Sequence, residues 1–259
     1  MAYDAILLAG GLLSPENPLY SEAPGGHRSL IPINGKPMAQ WVLDVLTASD
    51  VIARVIVIGM AEDCGLTSSK PLVFLPDAGG VLENMRAGAQ FAAETYPDQY
   101  KVIVASSDIP AIRPGMLTWL TKQIKKNPDI EIYYNLITQD AMEKRYPNAN
   151  RSFVRFRDVA VCGGDLNALD TRFFASERPV WRRLTEARKS PLRQASILGL
   201  DTLALVLLHA ITLDGAVRKV CRRLDLRGLA LRCPYPEMAM DADKPHQLAI
   251  LRRDLKAQP

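Results

Sequence analysis

Short apolar runs of strand length alternate with amphipathic helical patterns through the first half of this 259-residue chain. That alternation restricts the fold more than any other feature. Residues 4–9, 55–58, 72–75 and 102–105 are rich in Ile, Leu, Val and Ala and are bounded by Gly, Pro or polar residues, as buried strands are. Between them, Met38, Trp41, Val42, Val45 and Leu46 recur at helical spacing after Pro37. Leu82, Met85, Ala89 and Ala92 do the same, and Leu117, Leu120 and Ile124 follow Pro114. Such a succession closes through right-handed crossovers into a mostly parallel sheet with helices on both faces. The expected fold class is α/β: a three-layer α/β/α arrangement around a mostly parallel, Rossmann-like sheet.

The second half departs from this rhythm. Residues 130–138 and 153–162 read as two longer, more exposed strands, an added antiparallel ribbon. Residues 177–224 read as helical, 228–233 as one more strand, and Leu248, Leu251 and Leu255 as a closing helix after Pro245. No linker composition interrupts the chain, so one domain over 1–259 is expected, carrying a small antiparallel and helical elaboration.

Composition narrows the function classes. Hydrophobic residues make up 48% and charged residues 23%, as in soluble globular proteins. The net charge of +4 is spread along the chain rather than striped, which argues against nucleic acid as a partner. Cys64, Cys162, Cys221 and Cys233 show no metal-ligand or disulfide spacing, and Met1 leads into an apolar run with no basic region before it, so a reduced, cytoplasmic setting is expected. The most lipid-like stretch, 197–213, is interrupted by Asp201 and His209 and is shorter than the roughly 20 apolar residues a membrane span needs. A buried helix or helix pair is expected there, and membrane contact is disfavoured.

The chemistry concentrates where the first strand ends. Gly10 and Gly11 follow it directly. In an open α/β sheet ligands sit beyond the carboxyl ends of strands, and glycines there let backbone N–H groups approach a phosphate or a base. Arg28 and Lys36 then supply positive charge, with Gly35 and Pro37 beside them. The spacing is neither a G-x-G-x-x-G dinucleotide fingerprint nor a G-x-x-x-x-G-K-[ST] P-loop. Two aspartates stand at other element ends: Asp108 after the run 102–105, and Asp243 before the helix at Pro245. Carboxylates from two separate element ends, with substrate phosphates, suffice for a hard divalent cation. Asp241 could exchange roles with Asp243.

"LLAGG" at 7–11 followed by "RSLIPINGKPM" at 28–38 resembles the N-terminus of the nucleotidyltransferases of glycosyltransferase-A-like fold, a superfamily that includes sugar-phosphate and molybdenum-cofactor nucleotidyltransferases. "IVASSDIPAI" at 103–112 and "MDADKPHQL" at 240–248 resemble two further motifs of that superfamily, in family order. The resemblance implies a nucleotide-binding half at 1–126 and an acceptor-side half with a closing metal-site segment at 127–259. It implies a Mg²⁺-dependent transfer of NMP from an NTP to a phosphorylated small-molecule acceptor, with release of pyrophosphate. Arg28, Lys36 and Asp108 are then expected catalytic residues, and Asp108 and Asp243 the metal ligands. Leu8, Ala9, Gly10 and Gly11 would contact the nucleotide, with Asp77 or Asn84 of "LPDAGGVLENMRAGA" recognising its base or sugar. A glycosyltransferase using a nucleotide-sugar and a catalytically silent nucleotide-binding module are the alternatives.

The family's loop after L-A-G-G carries a further Gly and a basic residue within about six positions; here no basic residue occurs until His27 and Arg28. "VCGGDLNALD" at 161–170 resembles the family's acceptor-side element, with Asp165 where Asn is commoner. Arg188, Lys189 and Arg193 could grip an acceptor phosphate, although a solvated basic helix face is the preferred reading.

Overall fold

Alternate residues of the first strand, β1 (Tyr3–Leu8), face different layers of helices. Ala5 and Leu7 pack into one buried cluster, with Val55, Val57, Ile103 and Ala105, while Ile6 joins another with Ile56, Ile58, Val102 and Val104. This period-two division is what a sheet covered on both sides requires. The computed structural model describes residues 2–95, 100–174, 176 and 199–256.

After β1 the chain forms a two-residue ladder, β2 (Pro32–Ile33) with β3 (Lys36–Pro37), then α1 (Met38–Ala48), β4 (Ile52–Ile58), β5 (Leu72–Leu75) and α2 (Val81–Thr95). There follow β6 (Lys101–Ser106), α3 (Pro114–Lys126), β7 (Ile132–Thr138), α4 (Gln139–Arg145), β8 (Val154–Arg155), β9 (Ala160–Gly163), β10 (Leu166–Asp170) and α5 (Thr171–Phe174). The described part of the second half ends with α6 (Leu200–Leu207), α7 (Leu213–Leu224), β11 (Gly228–Arg232) and α8 (Pro245–Lys256).

Nine of these strands form one sheet in the order β5-β4-β1-β6-β10-β7-β9-β8, with β11 pairing parallel to β7. β5, β4, β1 and β6 are parallel neighbours, whereas β10 runs antiparallel to both β6 and β7. Helices α1, α3 and α8 cover one face through Met38, Leu43, Leu117, Leu120, Leu248 and Leu251, and α2 and α5 cover the other through Ala89, Ala92, Phe173 and Phe174. Gly88 lets α2 sit close: a Cβ there would lie 2.8 Å from Ile6 Cδ1 and 2.9 Å from Ile58 Cδ1.

The expected strands and helices of the first half form within a few residues of their sequence bounds, and so do the strand at 228–233 and the helix after Pro245. The second half brings corrections. Residues 153–162 are a hairpin of β8 and β9 rather than one strand, turned where the N–H of Phe156 donates to the carbonyl of Val159 at 2.8 Å. The segment 130–138 is no exposed ribbon: β7 lies inside the main sheet with Tyr133 fully buried. Its polar residues misled because they are buried with partners. The carboxylate of Glu131 accepts the N–H of Arg227 at 2.8 Å, and Asn135 is bonded to Leu166 and Asn167. Helix α4 had no expectation. Within 197–213, the described residues run from 199 to 213: α6 is largely exposed, with Leu200, Leu207 and Leu208 at 67%, 79% and 75%, although Thr202 is buried, and the buried Leu213 opens α7. The expected helical region ends in α7 as described, while its first part, residues 177–198 with Arg188, Lys189 and Arg193, lies outside the described residues.

Candidate active site

The spatial order of the parallel strands reverses between β1 and β6. Successive strands β4 and β5 are laid on one side of β1, and β6 on the other. The crevice beyond the carboxyl ends of two such strands is where open α/β sheets bind ligands. Leu8 and Ser106 are register partners at that edge, so Ala9–Gly11 and Ser107–Asp108 emerge side by side. The N–H of Ser107 donates to the carbonyl of Leu8 at 3.0 Å and locks the two exits together.

Glycine is required at this corner by packing. A Cβ on Gly59, whose φ is +89°, would stand 2.2 Å from the Cα of Gly10, so the ends of β1 and β4 meet backbone against backbone. Gly11 has φ +102°, and a Cβ there would meet nothing within 4 Å. The Gly11 corner therefore faces open space.

The long segment after Gly11 closes on itself. Leu12 and His27 form an antiparallel bridge, and the N–H of Leu13 donates to the carbonyl of Gly26 at 2.8 Å. Gly25 and Gly26, at φ +58° and +77°, turn the chain back. The excursion therefore delivers Arg28 beside the corner despite its length. The next residue fixes the position: the hydroxyl of Ser29 donates to the carbonyl of Ala9 at 2.7 Å, and Ser107 Oγ lies 2.8 Å from Ser29 Oγ.

Arg28 stands between the two aspartates. Its Nη1 lies 3.4 Å from Asp108 Oδ2, and its Nη2 contacts the carboxylate of Asp243 and the carbonyl of Ala242. The N–H of Ala242 in turn donates to the carbonyl of Asp108 at 3.1 Å. Asp77 and Asn84 pack on the other flank: Asn84 Nδ2 donates to Asp77 Oδ1 at 3.0 Å, and Asn84 Oδ1 accepts the N–H of Ala78 at 2.7 Å. A Cβ on Gly10 would touch both side chains at 3.4 Å. A cavity of about 540 Å³ opens over these groups, lined at this end by Leu8, Gly10, Arg28, Asn84, Asp108 and Asp165.

A family model, the MobA-like NTP transferase domain, matches residues 5–139, half of the chain. The chain belongs to the MobA-like NTP transferases. It is accordingly a nucleotidyltransferase. Among solved structures, a hypothetical transferase from Thermus thermophilus is similar at 31% identity and TM-score 0.81, over 96% of this chain and 100% of the other. CMP:2-keto-3-deoxy-manno-octonic acid synthetase complexed with CTP superposes at 15% identity and TM-score 0.56, over 98% of each chain. A 2-C-methyl-D-erythritol 4-phosphate cytidylyltransferase, also from Thermus thermophilus, does so at 10% and 0.55, over 99% of this chain and 100% of the other. These last two likenesses are of fold. No curated protein matches the chain.

Most of the residues expected at the site of this NTP transferase are brought together: Leu8, Ala9, Gly10, Gly11, Arg28, Asn84, Asp108 and Asp243, with Asp77 supporting Asn84. Lys36 is not. Its ammonium pairs with Asp44 at 2.7 Å and lies 4.2 Å from the centre of the Trp41 ring, and it does not line the cavity. The β2–β3 ladder and the Asp44 and Trp41 side chains of α1 hold it there. The sequence leaves Asp241 and Asp243 interchangeable, but the structure separates them: Asp241 is buried and paired with Arg151, while Asp243 is half exposed and faces Arg28.

The electrostatics were not legible from sequence. Burial, with Asp108 and Asp241 nearby, pushes the Asp165 carboxyl up to about 8. Burial and the neighbouring aspartates likewise push Asp241 up to about 6, against the opposing pull of Arg151. Four carboxylates crowd around two guanidinium groups, and the excess negative charge is what a cation would relieve. Arg151 itself stands alone in a polar loop, without a sequence signal of its own.

The residues present fit a hard divalent cation. Asp108 Oδ1 is buried without a hydrogen-bond partner, and Asp243 presents its carboxylate beside the same guanidinium. Both are oxygen donors, suited to a cation that keeps most of its water. Among the described residues no group of three or more His, Cys, Asp or Glu side chains could hold a metal, so substrate phosphates would have to complete the shell.

Proposed function

We propose that this NTP transferase moves an NMP group from an NTP to a phosphorylated small-molecule acceptor, with Mg²⁺ held by Asp108 and Asp243. An oxygen of the acceptor phosphate forms a bond to the α-phosphorus. The bond from that phosphorus to the bridging oxygen breaks in line, and pyrophosphate leaves with the electron pair. The bound cation supplies charge neutralisation on the phosphates. The chain's own residues bind and orient. Backbone N–H groups at Gly10 and Gly11 approach the phosphates, the Arg28 guanidinium offers paired donors to phosphate oxygens, and Asn84, steadied by Asp77, borders the base. No covalent intermediate on the protein is needed; among the described residues Ser106 and Ser107 line the cavity, and the Ser107 hydroxyl is paired with that of Ser29 rather than with a base.

The observation that carries this reading is the convergence of Arg28, Asp108 and Asp243 beside Gly10 at the strand-order reversal. Among the described residues no helix is long and apolar enough to cross a membrane, and the setting we propose is cytoplasmic. The test is pyrophosphate release on mixing the protein with Mg²⁺, each of CTP, GTP, UTP, ATP and dTTP, and a panel of phosphorylated acceptors. CTP comes first because two structural neighbours are named for cytidine nucleotides. Release that needs both an acceptor and Mg²⁺ supports the proposal. Nucleotide binding without release across the panel favours a silent module, and sugar transfer from a nucleotide-sugar favours a glycosyltransferase.

A further inference from the structure

The active-site cavity does not end at its polar groups. Its far wall is Ile132, Tyr134, Leu224 and Leu226, and the same four residues line a second cavity of about 460 Å³ between α7 and the sheet formed by β7, β8, β9 and β11. Among the described residues the second cavity has no charged lining, and Leu136, Val154, Phe156, Val161, Val217 and Leu229 are among the residues around it. Its volume falls in the range of sites that enclose small molecules.

Helix α7 turns Leu213, Ala216, Val217, Val220 and Leu224 toward the sheet and carries Arg218, Lys219, Arg222 and Arg223 on its other side. Opposite, Gly163, Gly228 and Ala230 line the cavity, and at Gly228 a Cβ would lie 2.9 Å from Cys221 Sγ and 3.0 Å from Leu226 Cδ1. Gly163 also sets the doorway. A Cβ there would lie 2.1 Å from the Tyr134 hydroxyl, so only glycine lets this phenol lie across the strand where the two cavities join. Gly164 and Asp165 continue the same turn into the first cavity.

We infer that the acceptor is amphiphilic: a phosphate monoester whose head reaches Arg28 and Asp108 and whose apolar tail passes Tyr134 into the second cavity. The inference rests on the proposed nucleotidyl transfer for the head and on the joined cavities for the tail. A polar sugar phosphate would leave this aliphatic surface facing water; an alkyl, aryl or isoprenoid tail would cover it.

The test is calorimetric titration of the full chain with n-alkyl monophosphates from ethyl to decyl below their micelle concentrations, with and without CTP and Mg²⁺. Glycerol 3-phosphate and inorganic phosphate serve as head-only controls. Affinity should rise about three- to fourfold per added methylene until the cavity is full. Val217→Trp, which occupies the cavity, should flatten that dependence while melting as a folded protein; if it does not fold, the wild-type series alone decides. A second arm offers hexadecyl phosphate in phosphatidylcholine vesicles. Co-sedimentation assigns a lipid phosphate, and binding of soluble alkyl phosphates alone assigns a soluble one. Affinity independent of chain length, or an equal rise in folded Val217→Trp, overturns the inference. Chain-length dependence without pyrophosphate release from any NTP would defeat the transfer reaction and leave the tail site standing. Release with sugar phosphates and no chain-length effect would do the reverse.

Discussion

The backbone N–H of Ala242 donates to the carbonyl oxygen of Asp108 at 3.1 Å, so the strand-end aspartate and the segment carrying Asp243 are one structural unit. Arg28 completes it by contacting both carboxylates.

Asp243 and Asp241 should respond oppositely to removal. Asp243 is half exposed, so Asp243→Ala should leave the melting temperature within about 2 °C and lower turnover about 100-fold or more. Asp241→Ala strands the buried Arg151 and should cost about 3–5 kcal/mol. Thermal melts and pyrophosphate release on the two variants separate the roles.

The glycine corner gives a second contrast. Gly59→Ala places a Cβ 2.2 Å from the Gly10 backbone at φ +89° and should destabilise the fold by at least about 3 kcal/mol. Gly10→Ala meets its neighbours at 3.4 Å, an ordinary contact. It should cost under about 1 kcal/mol and weaken NTP binding about tenfold, because the new methyl group fills the approach to the phosphates. Denaturant unfolding and equilibrium nucleotide binding check the pair.

Much of this was readable in advance, and the reason is physical. The parallel half of the sheet announces itself because each of its strands is apolar on both faces and each crossover helix has one apolar stripe. The corner residues Gly10 and Gly11 and the aspartates 108 and 243 were legible because each sits at an element end. Strand β7 was misread because its polar side chains find partners across the sheet, as the Asn135 side-chain amide does by donating to the carbonyl of Leu166. Lys36 was misplaced because its proximity to Arg28 in sequence says nothing of the two-residue ladder that turns it toward Asp44 and Trp41. Arg151 and the raised Asp165 were invisible because both depend on segments brought together from distant parts of the chain.

Lys36→Ala should therefore be mild. Its ion pair with Asp44 is largely exposed and its contact with Trp41 is a single cation–π stack, together worth about 0.5–1 kcal/mol. Turnover in the pyrophosphate assay should stay within about twofold of wild type.

Asp165 predicts a pH dependence of stability. A carboxyl raised to about 8 keeps its proton in the folded state, while the unfolded chain releases it above about pH 4. Its stabilising contribution is fully present below pH 4 and is lost as pH rises through 8. Asp241, raised to about 6, adds a slope of the same sign between about 4 and 6. In EDTA, the wild-type melting temperature should fall by several degrees from pH 5 to pH 8.5. Asp165→Asn should remove most of the fall above pH 6.

In the proposed reaction the Asp108 carboxylate holds the cation on which transfer depends. Its Oδ1 is buried without a partner, so the fold gains nothing from that oxygen. The decisive measurement is pyrophosphate release by Asp108→Ala, beside wild type, at saturating Mg²⁺ and the best NTP–acceptor pair. A loss of at least about 100-fold is expected, with an unchanged or higher melting temperature. Turnover at the wild-type rate in a folded Asp108→Ala protein would contradict it.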